Sequence, residues 1–280
     1  MSLEVLAPGP LTTIQDLGRP GLAAQGVGPS GAADRGALRL ANRLVGNPEG
    51  AAGLEVTMGG LHLRAHAPVV LALTGAPCPT RVRGRAEGTG VALHLDAGDE
   101  LVLGAPAAGL RTYVGVRGGV AVPEVLGSRS TDLLAGLGPA VPRAGDLLPV
   151  GPVPRQPPYL DVAPVAGPAA GEVVLRARPG PRDDWFTGSL LGRAWTATAE
   201  LDRVGVRLTG PPLRRAVAGE LPSEGVVRGA LQVPPSGLPT LLLADHPVTG
   251  GYPVAAVVLD ADVDLAAQVR PGQVVRLRAA

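Results

Sequence analysis

Glycine and proline constrain this chain more than any other feature. It has 41 glycines and 30 prolines in 280 residues, about a quarter of the chain, a level at which low complexity or disorder has to be weighed. They are spread out, standing between short apolar runs: Val69–Leu73, Leu101–Leu103, Thr112–Val116, Val173–Ala177, Val204–Leu208, Val226–Val227, Leu231–Val233, Thr240–Leu243, Val254–Leu259 and Val274–Leu277. Elsewhere the runs alternate. Leu61, Leu63 and Ala65 alternate with His62, Arg64 and His66; Val82 alternates with Arg81, Arg83 and Arg85; Leu93 and Leu95 flank His94. Short alternating runs bounded by turn residues predict a mainly β protein of the barrel or sandwich kind. With 45% hydrophobic and 18% charged residues the chain has a core to bury and is not of disordered composition. Aromatics are only 2%, so that core must be built from Val, Leu and Ala.

One turn recurs. LDAGDELVLG (95–104), PRAGDLLPVG (142–151) and VRPGQVVRLR (269–278) each place a Gly, then Asp or Gln, before an apolar run. Glycine supplies a positive φ there without steric cost. The clearest helix is Asp34–Val45, with Ala37, Leu38, Leu40, Ala41, Leu44 and Val45 on one face. Ser30 or a neighbour is its expected cap, and Gly46-Asn47 its stop. Asp183–Leu191 and Asp262–Gln268 read as short helices. Val150–Gly171 is rich in Pro and has no clean period. It reads as an inter-domain linker or a long extended crossover, separating a domain at 1–149 from one at 172–280.

Composition excludes several functions. A net charge of +1 gives no electrostatic footprint for nucleic acid, and stacking aromatics are scarce. No apolar run reaches membrane-spanning length, and MSLEVLAPGP lacks a basic region followed by an apolar stretch. The lone Cys78 rules out an internal disulfide and a Cys-rich metal site. A cytoplasmic protein is expected. All 25 basic residues are arginine. Without lysine the chain has no Schiff-base amine, no Walker-A lysine and no anchor for covalent biotin or lipoate.

The polar residues cluster in loops. Gly26–Gly31 matches G-x-G-x-x-G ahead of the helix, but Gly21–Gln25 is a poor strand, so a dinucleotide site is not expected there. The loop fits either anion binding through Ser30 and the helix start or a glycine turn capped by Ser30 or Asp34. TTIQDLGRPG brings Thr12, Thr13, Gln15, Asp16 and Arg19 together. Arg19 suits a substrate carboxylate, and Asp16–Arg19 equally suits a turn pair. Ser128, Arg129, Ser130, Thr131 and Asp132 form a hydroxyl-rich loop, read as an anion cradle or as a cap. His62 and His66, four apart on a strand, read as a solvated face, and so does His94. The densest cluster is Ser223–Val254. Asp245 and His246 follow an apolar strand and precede Thr249-Gly250-Gly251-Tyr252, with Ser223, Glu224 and Gln232 close in sequence. Acid–base work by Glu224, Asp245 and His246, with substrate held by Gln232, Thr249 and Tyr252, stands beside a purely structural role for the same loop. There is no G-x-S-x-G elbow for a serine-hydrolase triad.

Read in order, PGPLTTIQDLGRPG, GVGPSGAADRGALRLANRLVGN, AAGLEVT, RTYVGVRGGV, LGSRSTDLLAGLGP, RPGPRDDWF, DRVGVRL, SEGVVRGALQVPPSGLPTLLLAD and TGGYPV resemble the allophanate hydrolase subunit 2 family, also known as the biotin-dependent carboxyltransferase domain family. The resemblance covers nearly the whole chain. Many relatives read Asp-Arg-Gln-Thr-Thr-Gly-Gly-Tyr where this chain has Asp245–Tyr252, with His246 and Pro247 in place of the Arg and Gln. The resemblance implies two cyclophilin-like β-barrel subdomains with a few short helices. It also implies two partners of a 5-oxoprolinase: its B subunit, which is Kip-inhibitor-like, and its A subunit, which is LamB/YcsF-like. Three functions follow. With the B subunit, this chain is the C subunit that uses ATP and Mg²⁺ to phosphorylate 5-oxoproline, before the A subunit opens the ring to glutamate; Arg19, Arg129 and the Gly26–Gly31 loop are the candidates for phosphate. Or it is a carboxyltransferase that takes CO₂ from biotin carried on another protein. Or it is a non-catalytic antagonist of a Kip-type histidine-kinase inhibitor. Prolyl isomerisation rests on fold analogy alone.

Overall fold

A computed structural model describes residues 1–158, 160 and 162–280. Tyr159 and Asp161, inside the expected linker, lie outside the described residues. The fold is mainly β, as expected, and the chain divides into two compact units. The first comprises Met1–Arg19, Asp34–Asp132 and Gly136–Pro168; the second comprises Pro20–Ala33, Leu133–Ala135 and Ala169–Ala280.

The first unit holds β1 (Ser2–Pro8), β2 (Leu11–Gln15), α1 (Arg35–Leu44), β3 (Gly53–Thr57), β4 (Leu61–Ala65), β5 (Val69–Gly75), β6 (Thr80–Val82), β7 (Arg85–Glu87), β8 (Ala92–Leu95), β9 (Glu100–Leu103), β10 (Arg111–Val116) and β11 (Leu147–Pro149). They form a 6-stranded sheet, β11-β1-β4-β9-β6-β7, and a 5-stranded sheet, β2-β3-β10-β5-β8. Their inner faces share a core of Val and Leu with Ile14. β4 follows its alternation, with Leu61, Leu63 and Ala65 buried and His62 and Arg64 half-buried. On that outer face His62 pairs with Glu100 and His66 with Glu4. β10 breaks alternation because it is central: all six residues are buried, Arg111, Thr112 and Tyr113 among them. Helix α1 lies close on this sheet at Gly115, where a Cβ would come within 2.8 Å of the Ala41 carbonyl. Its N-cap is Asp34, whose Oδ1 accepts the Ala37 N–H at 2.8 Å. Ser30 is therefore not the cap.

Residues 150–158 and 162–168, within the expected linker or crossover, belong to the first unit. The Val150 N–H donates to the Met1 carbonyl at 3.0 Å, and Arg117 donates to the carbonyls of Pro154 and Gln156 at 2.9 and 2.7 Å.

The second unit holds β12 (Val173–Pro179), β13 (Phe186–Thr187), β14 (Ala194–Leu201), β15 (Gly205–Thr209), β16 (Arg214–Arg215), β17 (Glu224–Gly225), β18 (Ala230–Gln232), β19 (Thr240–Leu242), β20 (Thr249–Gly250), β21 (Val254–Val258), α2 (Asp260–Ala266) and β22 (Val274–Ala279). A closed barrel runs β12-β21-β18-β19-β15-β14-β22, with β13–β16 and β17–β20 as two small ladders beside it. The barrel core includes Trp195, Leu175, Leu231 and Leu277. The expected helix at Asp183–Leu191 is a single 3₁₀ turn, Asp183–Trp185, followed by β13. The Asp pair suits a first turn, but the chain is then drawn into pairing with Arg214–Arg215. Val226–Val227 is not a strand; the pairing falls on Glu224–Gly225 instead. The recurrent turn appears in all three places: Gly98, Gly145 and Gly272 have φ of 89°, 91° and 81°. Among the described residues no helix is long and apolar enough to cross a membrane.

Helix α2 has only seven residues and depends on an anchor. Asp262 Oδ2 accepts the backbone N–H of Arg176 at 2.7 Å and its Nε–H at 2.9 Å, and Oδ1 accepts Nη2–H at 2.7 Å. Arg176 thereby holds the Asp262 carboxyl below its ordinary value of 3.8. A folded-state pKa below the unfolded one means stability that is present above 3.8 and lost as pH falls through the still lower folded value. Asp262→Asn is expected to cost about 1–2 kcal/mol near neutral pH, the exposed Arg176 moderating the loss. The difference in Tm between wild type and variant should narrow as pH drops below 3.8. A gap that stays constant to low pH would show that the carboxylate charge is not the anchor.

Candidate functional site

The polar residues singled out in the sequence fall into four groups. The first, in the first unit, joins residues 15–19 to residues 128–132. Asp16 lies at its centre. Its Oδ1 accepts from the Ser128 hydroxyl at 2.7 Å, the Ser130 hydroxyl at 2.5 Å and the Gly18 N–H at 2.7 Å; its Oδ2 accepts the Arg129 N–H at 2.6 Å. Gln15 Nε2 donates to the Thr131 carbonyl at 2.8 Å, and Thr131 N–H donates to the Ile14 carbonyl at 2.9 Å. Arg19, 2% exposed, donates to the carbonyls of Ser130 and Val125. Arg129 donates to the Val122 carbonyl and pairs with Glu124. The structure brings Gln15, Asp16, Arg19, Ser128, Arg129, Ser130 and Thr131 together, and turns most of their polar atoms onto one another. Two atoms stand apart: Gln15 Oε1 and Arg19 Nη1 are buried without a hydrogen-bond partner.

The second group, also in the first unit, was not singled out in the sequence apart from Asp34. Glu55, Arg111 and Tyr113 are 1%, 2% and 0% exposed. Tyr113 Oη–H donates to Glu55 Oε2 at 2.8 Å and accepts the Asp34 N–H at 2.7 Å. Arg111 Nε stands 3.4 Å from Glu55 Oε1. Burial, and then the neighbouring Glu55 carboxylate, push the Tyr113 hydroxyl well above its usual value, so it stays a phenol and keeps its donor role. Asp34 thus caps α1 with its side chain and is held by Tyr113 through its backbone. A signal was available: a Glu between Leu54 and Val56, and an Arg and Tyr opening the RTYVGV run. Charges inside apolar strands call for buried partners.

The third group lies in the second unit. Arg203 and Asp245 are each 1% exposed. Their pairing is bidentate, Nε–H to Oδ2 and Nη2–H to Oδ1, both at 2.9 Å. Ser30 Oγ–H donates to Asp245 Oδ1 at 2.7 Å, and the Leu133 N–H donates to Oδ2 at 3.1 Å. Arg203 also donates to the Gly31 carbonyl, and Arg228 to the Ala33 carbonyl. These bonds explain why residues 20–33 and 133–135 belong to the second unit. Ser30 sits at φ 50°, a conformation that orients its hydroxyl onto Asp245 rather than onto a helix. With four donors on its two oxygens, Asp245 holds this knot together. His246, 5% exposed, donates Nδ1–H to the Pro247 carbonyl at 2.7 Å.

The fourth group is open to solvent. Arg182 and Glu224 form an ion pair with side chains 36% and 33% exposed. Glu224 lies opposite Gly250 in the β17–β20 ladder. Gln232 Nε2 donates to the Tyr252 carbonyl at 3.1 Å. Thr249, Gly251 and Tyr252 are exposed. This group joins Glu224, Gln232, Thr249 and Tyr252, all singled out in the sequence, and adds Arg182, which was not.

A family model described as "Carboxyltransferase domain, subdomain A and B" matches residues 25–279. The chain belongs to the carboxyltransferase domain family. Within it, the chain is 39% identical to the C subunit of the Escherichia coli K12 5-oxoprolinase, over 97% of its own length and 89% of that protein. It is 34% identical to the C subunit of the Haemophilus influenzae 5-oxoprolinase, over 99% of its length and 91% of that protein. It is also 31% identical to the urea amidolyase of Lachancea kluyveri, of which it spans 16%. The crystal structure of TTHA0988 superposes with a TM-score of 0.89 at 35% identity, covering 99% of this chain and 55% of that one. The K. lactis urea amidolyase gives a TM-score of 0.89 at 28% identity over 99% of this chain and 18% of that one. The chain therefore spans about half of one solved relative and a small part of another.

Proposed function

We propose that this chain is the C subunit of an ATP-dependent 5-oxoprolinase, acting with the B subunit to activate 5-oxoproline by phosphorylation before the A subunit opens the ring. One observation carries the reading: the likeness to the C subunits of two bacterial 5-oxoprolinases covers 97% and 99% of this chain and 89% and 91% of those subunits. The chemistry requires a pocket that holds a small lactam carrying a carboxylate. The lactam oxygen attacks the γ-phosphorus, ADP leaves and the ring nitrogen gives up its proton; one water then adds to the activated carbon and expels the ring nitrogen, which takes up a proton, and a second water releases phosphate from the resulting acyl phosphate.

Arg19 and Arg129 do not suit the phosphates of ATP. Arg19 is buried against backbone carbonyls and Arg129 is paired with Glu124. Ser30, in the Gly26–Gly31 loop, gives its hydroxyl to Asp245. No step through the nucleotide is therefore assigned to these residues, and holding ATP and Mg²⁺ falls to other groups of the complex. The total absence of lysine leaves no site for covalent biotin on this chain.

A second reading has its own support. Urea amidolyases share 31% identity with the chain and, in a solved example, its fold. In that reading the chain accepts a carboxyl group from biotin on another protein and passes it to urea or a similar amide. The test is to co-purify the chain with its B partner, supply the A partner, and measure ATP turnover with and without 5-oxoproline. Turnover that depends on 5-oxoproline and yields glutamate is expected. Turnover indifferent to 5-oxoproline, with carboxylation of urea once biotin carboxylase and a carrier are added, would replace the first reading by the second.

A further inference from the structure

The open group in the second unit has a geometry that a salt bridge alone does not require. Glu224 and Gly250 are directly opposite in an antiparallel ladder, so their Cβ directions lie on the same face. A Cβ on Gly250 would fall well inside contact distance of Gln232 Nε2. The Gln232 amide thus occupies the space above Gly250, on the face to which Glu224 projects. Arg182 reaches the same face through Glu224. A guanidinium, a carboxylate and a primary amide therefore share the face above Gly250. Arg182 and Glu224 have side chains 36% and 33% exposed, so the approach to this face is open. Gln232 is itself 6% exposed and fixed by its bond to the Tyr252 carbonyl, which presents its amide in one orientation.

We infer that this face is a subsite for a small carboxylate bearing an amide, with Arg182 as the carboxylate-binding residue. The inference rests on the reading of the chain as part of a 5-oxoprolinase. The ligand's carboxylate takes the place of the Glu224 carboxylate on Arg182, for which a planar guanidinium is suited. The Gln232 amide, a donor and an acceptor side by side, is complementary to a lactam's C=O and N–H. Glu224, through its pairing with Arg182, keeps that guanidinium extended. Gly250 is glycine for space rather than for conformation, since its φ is not positive.

Two variants test this in the complex with both partner proteins. Arg182→Gln removes the charge. Gly250→Ala pushes aside only the far end of the Gln232 side chain, so the fold should survive while the amide is displaced. Arg182→Gln is expected to raise the KM for 5-oxoproline about 10- to 100-fold, the weight of a charged hydrogen-bonded pair, with kcat changed far less. Gly250→Ala should raise KM by roughly 3- to 10-fold, the loss of about one neutral hydrogen bond, with Tm little altered. Direct binding of 5-oxoproline and of 2-pyrrolidinone, the same lactam without the carboxylate, is measured on the isolated chain by ligand-observed NMR. Wild type should prefer 5-oxoproline, and Arg182→Gln should abolish the preference. If both variants fold, assemble and keep the wild-type KM, the subsite lies elsewhere and the inference is overturned. If the wild-type complex shows no 5-oxoproline-dependent turnover, the functional reading fails, and the NMR comparison still decides the subsite: a preference for the carboxylated lactam that Arg182→Gln removes supports it, and no such preference overturns it.

Discussion

Arg203→Ala is expected to destabilise the second unit by about 3–5 kcal/mol, the cost of leaving one partner of a buried ion pair behind. Asp245 would keep only the Ser30 hydroxyl and the Leu133 N–H, in a position 1% exposed. The damage should spread along the chain, because Arg203 also holds the Gly31 carbonyl. Limited proteolysis should therefore begin within residues 20–33, far from the substitution in sequence. Replacing both partners, as in Arg203→Met with Asp245→Leu, should recover part of the loss, since apolar replacement of a buried pair is far less costly than breaking it. Urea denaturation gives the first number, and the site of first cleavage checks the second. A loss below about 1 kcal/mol, the scale of a surface pair, would mean that the knot is hydrated and that Asp245 is open for other work.

The β content, the turn glycines and the main helix were legible because each is a local matter. Gly98, Gly145 and Gly272 take positive φ for reasons contained within a few residues, and α1 follows from its apolar face and stop. What could not be read is pairing. Ser30 and Asp245 are 215 residues apart and Arg203 and Asp245 are 42 apart; nothing in apolar periodicity encodes which strand lies beside which. The Asp-His pair drew a catalytic reading because it sits in a polar loop after a buried strand, and only the topology sets Arg203 against Asp245. β10 was misleading in another way. As a strand covered on both faces it carries no alternation, so the buried Arg111 and Tyr113 look in sequence like ordinary strand residues. The open group around Gln232 was half legible: the loop advertised itself by composition, but Arg182 enters from the turn that follows β12.

Asp16→Ala is expected to cost about 2–4 kcal/mol, and Asp16→Asn about half as much. The carboxylate collects two hydroxyls and two backbone N–H groups. In the alanine variant the hydroxyls of Ser128 and Ser130 can rotate to other acceptors, but the N–H groups of Gly18 and Arg129 are fixed by the backbone, and stranding partly buried donors costs about 1–3 kcal/mol each. Asparagine keeps one oxygen and sets an NH₂ where the other was. That NH₂ can donate to a rotated serine hydroxyl, but not to an N–H, so one backbone donor is lost rather than two. The same pair of variants separates holding from binding. If Asp16 ties residues 15–19 to residues 128–132, thermal unfolding should fall in the order wild type, Asn, Ala, while the KM for 5-oxoproline of the folded Asn variant stays near wild type. If instead Asp16→Asn melts like wild type and its KM rises about tenfold or more, a change worth at least 1.4 kcal/mol in binding, the carboxylate is a ligand group, and Gln15 Oε1 and Arg19 Nη1, buried without a hydrogen-bond partner though Nη1 stands 3.9 Å from Asp132 Oδ2, become the atoms a bound molecule would satisfy.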